Sequence, residues 1–242
     1  MTKKKLDKYG NDLEQECMSD IYVFFPLSDL IMEPMHKMGL TPNQITIMST
    51  LLTITSTCLY YNGLYNKAAI SYLLGYLMDS LDGRMARNYN QGSLLGMMLD
   101  STSDVITNIP IIVIFFIKTM KAIKYGIHVK RSVFLFVLFL VVTFIFGIVF
   151  GINEAIDSFD KTKDDNFYKY KKELLLKENI EPTYLSNVYL YITEQTYKTY
   201  RRNFPDKITN KTIKDMRKKL FNLKEFGPGN YNIFIAILMY LF

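Results

Sequence analysis

Residues 75–110 place four aspartates in a region that is otherwise rich in Leu, Met, Ile and Tyr. Asp79 and Asp82 are three residues apart, and Asp100 and Asp104 are four apart, so each pair lies on one face of a helix. A charged carboxylate at the depth of a bilayer is costly and therefore marks a functional candidate. These two phased pairs are the residues from which we expect chemistry.

Four carboxylates that converge cannot all stay ionised unaided, because like charges repel. Divalent cations remove that conflict. Oxygen ligands without a nearby His or Cys favour Mg²⁺ or Mn²⁺, with Ca²⁺ as a third option, over zinc. Two ions bridged by carboxylates are the usual clamp in phosphoryl transfer. The pattern predicts a site in which the four aspartates hold two Mg²⁺ or Mn²⁺ ions.

Small residues and an arginine accompany the aspartates at helical spacing. Gly83 and Ala86 are small, so little projects from the acidic face of the first helix, and Gly96 has the same effect on the second. Arg87 suits a phosphate or a carboxylate partner. Residues 88–93 supply a turn with Asn, Gly and Ser. We therefore predict two antiparallel helices whose acidic faces meet and admit a flat, bulky group.

Two other interpretations of the aspartates stay open. Any one of them could cap a helix or pair with Arg84 or Arg87, although this does not explain two phased pairs. A cation or proton transporter also uses intramembrane carboxylates as relays. That interpretation leaves the small residues and the arginine at fixed offsets without a role.

Apolar blocks flank the aspartates and predict membrane spans. A hydrocarbon core roughly 30 Å thick needs about 20 helical residues. Four blocks come near that length, and a fifth, at the end of the sequence, is short for a span. They cover residues 44–62, 68–81, 94–117, 132–152 and 230–242.

The fold class predicted is all-α, a multi-pass transmembrane helix bundle with an N-terminal interfacial amphipathic helix and a polar helical insert. Apolar residues between positions 20 and 38 alternate with acidic ones, which suits a helix in the interface plane or one packed on the protein itself. The predicted parts are a polar tail with the interfacial helix, a four-helix catalytic core, an extramembrane insert and a C-terminal apolar segment, over residues 1–42, 43–152, 153–228 and 229–242 respectively.

The net charge of +6 points to membrane lipids as partners. No sequence signature of nucleic-acid binding accompanies it, so we expect no nucleic-acid partner. With four spans, the N-terminal tail, the 88–93 turn and the insert share one face, which the excess of Lys and Arg predicts to be cytoplasmic. The 118–131 loop conflicts with this orientation, since five cations then lie on the other face: Lys118, Lys121, Lys124, Lys130 and Arg131.

Residues 79–104 resemble the motif of the CDP-alcohol phosphatidyltransferase family, D-x₂-D-G-x₂-A-R-x₈-G-x₃-D-x₃-D, with every spacer of the same length. The stretch Gly-Leu-Thr-Pro-Asn-Gln-Ile-Thr, residues 39–46, is similar to the family's entry into its first span, where a Pro-Asn pair precedes a Thr. The two stretches extend the resemblance to about residues 20–150, leaving the insert and the C-terminal segment outside it.

The resemblance implies a multi-pass enzyme that transfers a phosphoalcohol from a CDP-linked donor to an acceptor hydroxyl and releases CMP. It implies metal ligation by all four aspartates, with Asp104 also acting as the general base. Substrate-binding residues by the same resemblance are Gly83, Ala86, Arg87, Gly96, Asn43 and Thr46. It further implies an integral membrane location, in the endoplasmic reticulum or a related endomembrane if the source is eukaryotic, and it allows a homodimer.

The acceptor is not fixed by the motif. Asn-Gln-Gly after Ala-Arg resembles phosphatidylinositol synthases, whereas Asp-Gly-Arg-Met-Ala-Arg with Leu-Asp-Ser-Thr-Ser-Asp is similar to phosphatidylserine synthases. We favour CDP-diacylglycerol as donor and a small polar acceptor. The alternatives are a CDP-choline or CDP-ethanolamine:diacylglycerol phosphotransferase and an inactive membrane relative. The first is weakened by Ser101 and Thr102, which stand where those enzymes carry His with Gly or Cys.

Overall fold

The computed structural model describes residues 16–177, 183–204 and 208–241, and all regular structure in these ranges is helical. A π-helical turn at Asp20–Phe24 leads into the first helix. The helices are α1 (Phe25–Lys37), α2 (Pro42–Tyr61), α3 (Tyr65–Asn88), α4 (Leu94–Tyr125), α5 (Val129–Thr162), α6 (Phe167–Lys177), α7 (Tyr184–Asn203), α8 (Asn210–Leu223) and α9 (Pro228–Leu241). The all-α prediction is confirmed. The predicted polar tail falls partly outside the described residues.

Side-chain caps fix where α2 and α4 begin. Thr41 and Gln44 form a reciprocal capping box at the start of α2, with Pro42 as its first residue. The Ser93 hydroxyl accepts a hydrogen bond of 3.0 Å from the Gly96 amide at the start of α4. The sequence between α3 and α4 therefore sets the position of the second acidic pair.

Helices α2 and α3 pack closely because small and hydroxylated residues line their contact. Ser56 donates to the Ala68 carbonyl at 2.7 Å, and Ser71 donates to the Leu52 carbonyl at 2.8 Å. At Gly75, a Cβ atom would lie 2.5 Å from Thr53 Oγ1 and 3.3 Å from the Ser49 carbonyl oxygen. Small residues permit such close approach where apolar burial alone does not drive helix association.

We expect Gly75→Ala to lower the free energy of unfolding by about 1–3 kcal/mol, since the added methyl group overpacks the α2–α3 contact. Gly147→Ala is the matched control, because nothing lies within 4 Å of its Cβ position on α5. Alanine there should stabilise by about 0.5–1 kcal/mol through helix propensity. The check is unfolding of both variants in detergent. Equal effects of the two substitutions would contradict the tight contact.

A buried aspartate joins the two ends of the described chain. Asp20 accepts hydrogen bonds from the Gly229 amide at 3.0 Å and from the Tyr76 hydroxyl at 2.7 Å. The Cys17 thiol donates to the same carboxylate at 2.9 Å, and burial, followed by the charge of Asp20, raises the pKa of this thiol. Asp20 thus caps the start of α9 and fixes that helix against α3.

The apolar core between α2, α3, α4, α5 and α9 is built on aromatic rings. The rings of Tyr60, Phe115 and Phe139 meet edge to face in sequence, with centroids 5.4 Å and 4.9 Å apart. Tyr231 on α9 stacks on Phe146 of α5 at 4.4 Å. The short fifth apolar block is therefore a helix whose buried side completes this core.

Helices α4 and α5 are long and apolar enough to cross a membrane. Only 17% of the most apolar window of each is buried inside the protein. A core helix of a soluble domain would be mostly buried, so the outward apolar surface favours contact with lipid. Helices α2 and α3 coincide with the other two predicted spans in position, and their membrane crossing stays a prediction.

The insert differs in its bounds from the prediction. Helix α5 continues through residue 152 to Thr162, and its last turns form a second core with α6, α7 and α8. Leu175 and Tyr189 of the insert also pack on Met98 near the start of α4. The insert therefore lies against the helix that carries two of the four aspartates. Residues 178–182 and 205–207 of the predicted insert lie outside the described residues.

The predicted interfacial helix, α1, packs on the protein itself, and its place in a membrane interface stays a prediction. One side of α1 packs on α3, where the Arg84 guanidinium pairs with Asp29 at 2.9 Å and lies over the Phe25 ring. The other side exposes apolar side chains such as Leu30 and Leu27. Arg84 thus joins α3 to α1.

Candidate active site

Three of the four predicted aspartates form a tight cluster. Ligand oxygens of Asp79, Asp82 and Asp100 all lie within 4.8 Å of one another. The first two come from α3 and the third from the start of α4, two helices that the turn after Asn88 makes antiparallel neighbours. The two acidic faces meet, as the phase of the aspartates predicts. Asp104 lies one turn further along α4 and outside this trio.

Thr46 orients one carboxylate of the trio. Its hydroxyl donates a short hydrogen bond to Asp82 Oδ2, and both side chains are buried. A hydrogen bond to a charged oxygen is stronger than one between neutral groups. This contact couples the predicted entry motif on α2 to the acidic motif on α3.

A polar cavity of about 530 Å³ opens on the side of the trio nearest the 88–93 turn. Asp82 and Asp100 line it, and the six residues predicted to bind substrate line it as well: Asn43, Thr46, Gly83, Ala86, Arg87 and Gly96. Residues Asn90–Ser93 of the turn complete its wall. We call this space the nucleotide cavity.

Gly96 is required by the approach of Asn43. A Cβ atom on Gly96 would lie 2.8 Å from Asn43 Oδ1 and 3.2 Å from Ser93 Oγ. A side chain at position 96 would therefore force the Asn43 amide out of its present position. This contact gives a physical reason for pairing an Asn on α2 with a Gly on α4.

We expect Gly96→Ala to raise the KM for a CDP-linked donor about tenfold. The added methyl group would displace Asn43 and so weaken the hydrogen bond that we expect Asn43 to make to the donor, which is of ordinary strength. The turnover number should change less, since the aspartates are untouched. Gly147→Ala is the control, because nothing lies within 4 Å of that Cβ position and Gly147 lines neither cavity. Steady-state CMP release at varied donor concentration checks this. An unchanged KM in Gly96→Ala would remove Asn43 from donor binding.

A second cavity, of about 470 Å³, lies on the opposite side of the trio. Asp79, Asp100 and Asp104 line it, so Asp100 is the carboxylate that the two cavities share. Aromatic and apolar side chains from α3, α5 and α9 form much of the remaining wall, including Tyr72, Tyr76, Phe146, Phe150 and Tyr231. We call this space the acceptor cavity.

The insert contributes an ion pair to the acceptor cavity, which the sequence did not predict. Lys171 Nζ on α6 lies 2.6 Å from Glu154 Oε2 on α5, and both residues line the cavity. Burial is the largest single influence and lowers the pKa of Lys171, but the charges of Glu154 and Tyr189 and the hydrogen bonds to them together outweigh it, so the pKa lies above its usual value. Lys171 therefore stays protonated at neutral pH. The one signal for Glu154 was a carboxylate directly after an apolar run. Nothing in the sequence marked Lys171.

The donor set of the trio fits a hard divalent cation. Carboxylate oxygens from three residues converge, a hydroxyl orients one of them, and no His or Cys takes part in this described cluster. Mg²⁺ and Mn²⁺ prefer such oxygen ligands. The trio would hold the metal, and Asp104 lies one turn further along α4, outside the trio and on the wall of the acceptor cavity.

Comparison with known proteins agrees with this geometry. The family model for CDP-alcohol phosphatidyltransferase matches residues 39–170, which include every residue that lines the nucleotide cavity. A curated relative, archaetidylinositol phosphate synthase from Pyrococcus horikoshii, is 36% identical over 76 residues. The match covers 31% of this chain and 40% of the relative, so this chain spans less than half of that protein. No solved structure matches the chain. Since the family model covers more than half of its length, the chain belongs to the CDP-alcohol phosphatidyltransferase family.

Proposed function

We propose that the protein transfers a phosphatidyl group from a CDP-linked lipid to the hydroxyl of an acceptor alcohol and releases CMP, in phospholipid biosynthesis. One observation carries this proposal. The aspartate trio lies on the wall between two cavities and shares Asp100 with both. A transfer reaction with a donor and an acceptor needs a reacting centre that both substrates reach.

The nucleotide cavity suits the CMP part of the donor. Its wall includes the small residues Gly83, Ala86 and Gly96, which leave room for a flat base, and Arg87 adds a guanidinium that matches phosphate geometry. The acceptor cavity is more apolar, and α4 and α5 beside it carry surfaces suited to lipid. A lipid substrate can therefore reach the trio from the bilayer while the nucleotide reaches it from water.

Asp104 is the proposed general base. It lines the acceptor cavity, and its backbone carbonyl is a hydrogen-bond acceptor for the Asn108 amide at 2.7 Å. Its carboxylate takes the proton of the acceptor hydroxyl as that oxygen bonds to the phosphorus next to the lipid. The bond from this phosphorus to the CMP oxygen breaks, and CMP leaves with the electron pair.

We propose two Mg²⁺ or Mn²⁺ ions as cofactors, held by Asp79, Asp82 and Asp100 with Asp104. Bound there, they would neutralise charge on the pyrophosphate and on the leaving phosphate. The chain's own residues then have separate tasks. Thr46 holds Asp82 in place, and Arg87 orients the phosphates.

CDP-diacylglycerol or a related CDP-linked lipid is the proposed donor, and a small polar alcohol the proposed acceptor. The relative's name adds inositol phosphate to the candidate acceptors. The single described cation on the acceptor cavity wall, Lys171, is paired with Glu154.

We also propose a multi-pass integral membrane location, in which α2 and α3 cross beside α4 and α5.

The test uses purified protein in lipid vesicles with labelled CDP-diacylglycerol, Mn²⁺ or Mg²⁺, and separate acceptors. The panel is serine, inositol, inositol phosphate, glycerol phosphate and choline. We expect CMP release that depends on one acceptor and on metal. A parallel reaction with CDP-choline and diacylglycerol tests the other donor class. CMP release in no reaction would overturn the enzymatic assignment, and release only from CDP-choline would reverse donor and acceptor.

A further inference from the structure

In the described residues, the end of the helix bundle far from the aspartates carries cations without acidic side chains. No Asp or Glu occurs between Glu33 and Asp79, between Asp104 and Glu154, or after Glu225. The helix ends that meet there belong to α2, α3, α4, α5 and α9, all within those stretches. The same stretches bring basic side chains to that end: Lys67, Lys118, Lys121, Lys124, Lys130 and Arg131. Among the described residues, the charged side chains at the far end are therefore all positive.

Aromatic rings and a backbone carbonyl hold several of these cations in place. Lys118 Nζ lies 3.9 Å from the ring centre of Tyr60 and 4.2 Å from that of Tyr65. Lys121 lies over Tyr61 at 5.8 Å. Arg131 Nη2 donates to the Leu241 carbonyl at 2.5 Å. These contacts leave the charges uncompensated by a carboxylate in the part of the chain that the structure describes.

The cations surround a cavity of about 300 Å³ between the end of α4 and the start of α5. Lys118, Lys121, His128 and Arg131 line it together with Tyr65 and Tyr125. Lys118 lies fourteen positions after Asp104 on α4, which is about 20 Å along the helix. The cavity is therefore a separate place from the acceptor and nucleotide cavities.

The surroundings of the cavity suit a lipid. Exposed apolar side chains on α4 and α5 continue from it along the outside of the bundle, including Met120, Ile123, Val133, Phe134 and Val137. Tyrosine beside Lys or Arg at a helix end is typical of the membrane–water interface. A headgroup in the cavity would place its acyl chains on this apolar surface.

We propose that this far-end cavity binds the phosphate of an anionic phospholipid, in the leaflet opposite the proposed active site. A phosphate supplies the negative charge that the described residues around Lys121 and Arg131 do not provide. An anionic membrane presents such phosphates at high local concentration. It also accounts for the five cations of residues 118–131, at the end of α4 and the start of α5, which conflict with the orientation that the other basic residues favour. The proposal does not depend on the enzyme's substrate.

Binding is measured with the full-length protein in nanodiscs of phosphatidylcholine that contain graded amounts of phosphatidylglycerol. Native mass spectrometry counts the retained anionic lipid, and thermal unfolding reports its stabilising effect. We expect Lys121→Gln/Arg131→Gln to bind phosphatidylglycerol about 30-fold more weakly, from the loss of two interfacial cations. The charge-matched control is Lys172→Gln/Lys198→Gln, two exposed cations on the insert, and it should bind as the wild type does.

Other outcomes decide against the proposal. Equal binding by the wild type and Lys121→Gln/Arg131→Gln would overturn it, and so would an equal loss in the control pair. Glycerol phosphate and inorganic phosphate are tested in detergent without anionic lipid. If either stabilises the wild type as well as phosphatidylglycerol does, the cavity is a site for a soluble phosphate. If the double variant is poorly folded, Lys121→Gln alone is expected to weaken binding severalfold.

Discussion

Replacing Asp104 by asparagine is expected to lower the rate of CMP release by about 10²–10⁴-fold, the usual contribution of a positioned general base. The amide keeps the size of the side chain but cannot take the proton of the acceptor hydroxyl. Asp104 lines the acceptor cavity and lies outside the tight aspartate trio. Donor binding should therefore persist. The measurements are single-turnover CMP release and binding of a CDP-linked lipid to the same preparation.

The control for this experiment is Asp157→Asn. Asp157 is an exposed carboxylate on α5 whose partner is Lys161 at 2.6 Å, and exposed pairs of this kind contribute little to stability. It should keep full activity and the same yield in membranes. Asp104→Asn with near wild-type release would remove Asp104 from the base role. A variant that loses donor binding along with rate would instead make Asp104 chiefly a metal ligand.

The local motifs could be predicted from the sequence because they act over one or two helical turns. The phase of the aspartates predicted two acidic faces, and three of those carboxylates do converge. The turn at residues 88–93 predicted an antiparallel pair, and Ser93 caps the second helix. The all-α class and the family resemblance are confirmed.

Contacts between residues far apart in sequence could not be predicted in this way. Lys171 reaches the acceptor cavity only because the insert packs back on α4, through Leu175 and Tyr189. Asp20 caps α9 across 209 positions of sequence. Neither contact leaves a periodic pattern in its own segment. The resemblance suggested Asn43, and the reason for it, its approach to Gly96, appears only when α2 and α4 lie side by side.

Replacing Asp100 by asparagine is expected to have two effects of opposite sign on stability. In the absence of metal, removing one carboxylate from a trio whose oxygens lie within 4.8 Å relieves repulsion between like charges, so the variant should unfold at a higher temperature than the wild type. With Mn²⁺ at about 100 times its dissociation constant, the wild type should gain about 2.7 kcal/mol. Most of that gain should be lost in Asp100→Asn.

Activity should fall with metal affinity, because Asp100 is the one described residue that lines both cavities. We expect at least a 100-fold loss of CMP release at a fixed, low Mn²⁺ concentration. Thermal unfolding with chelator and with graded Mn²⁺ provides the measurement, and Asp157→Asn again serves as control. The opposite signs separate a metal site from a structural one. If Asp100 only held the helices together, Asp100→Asn would be less stable with and without metal, and the trio would not be a cation site.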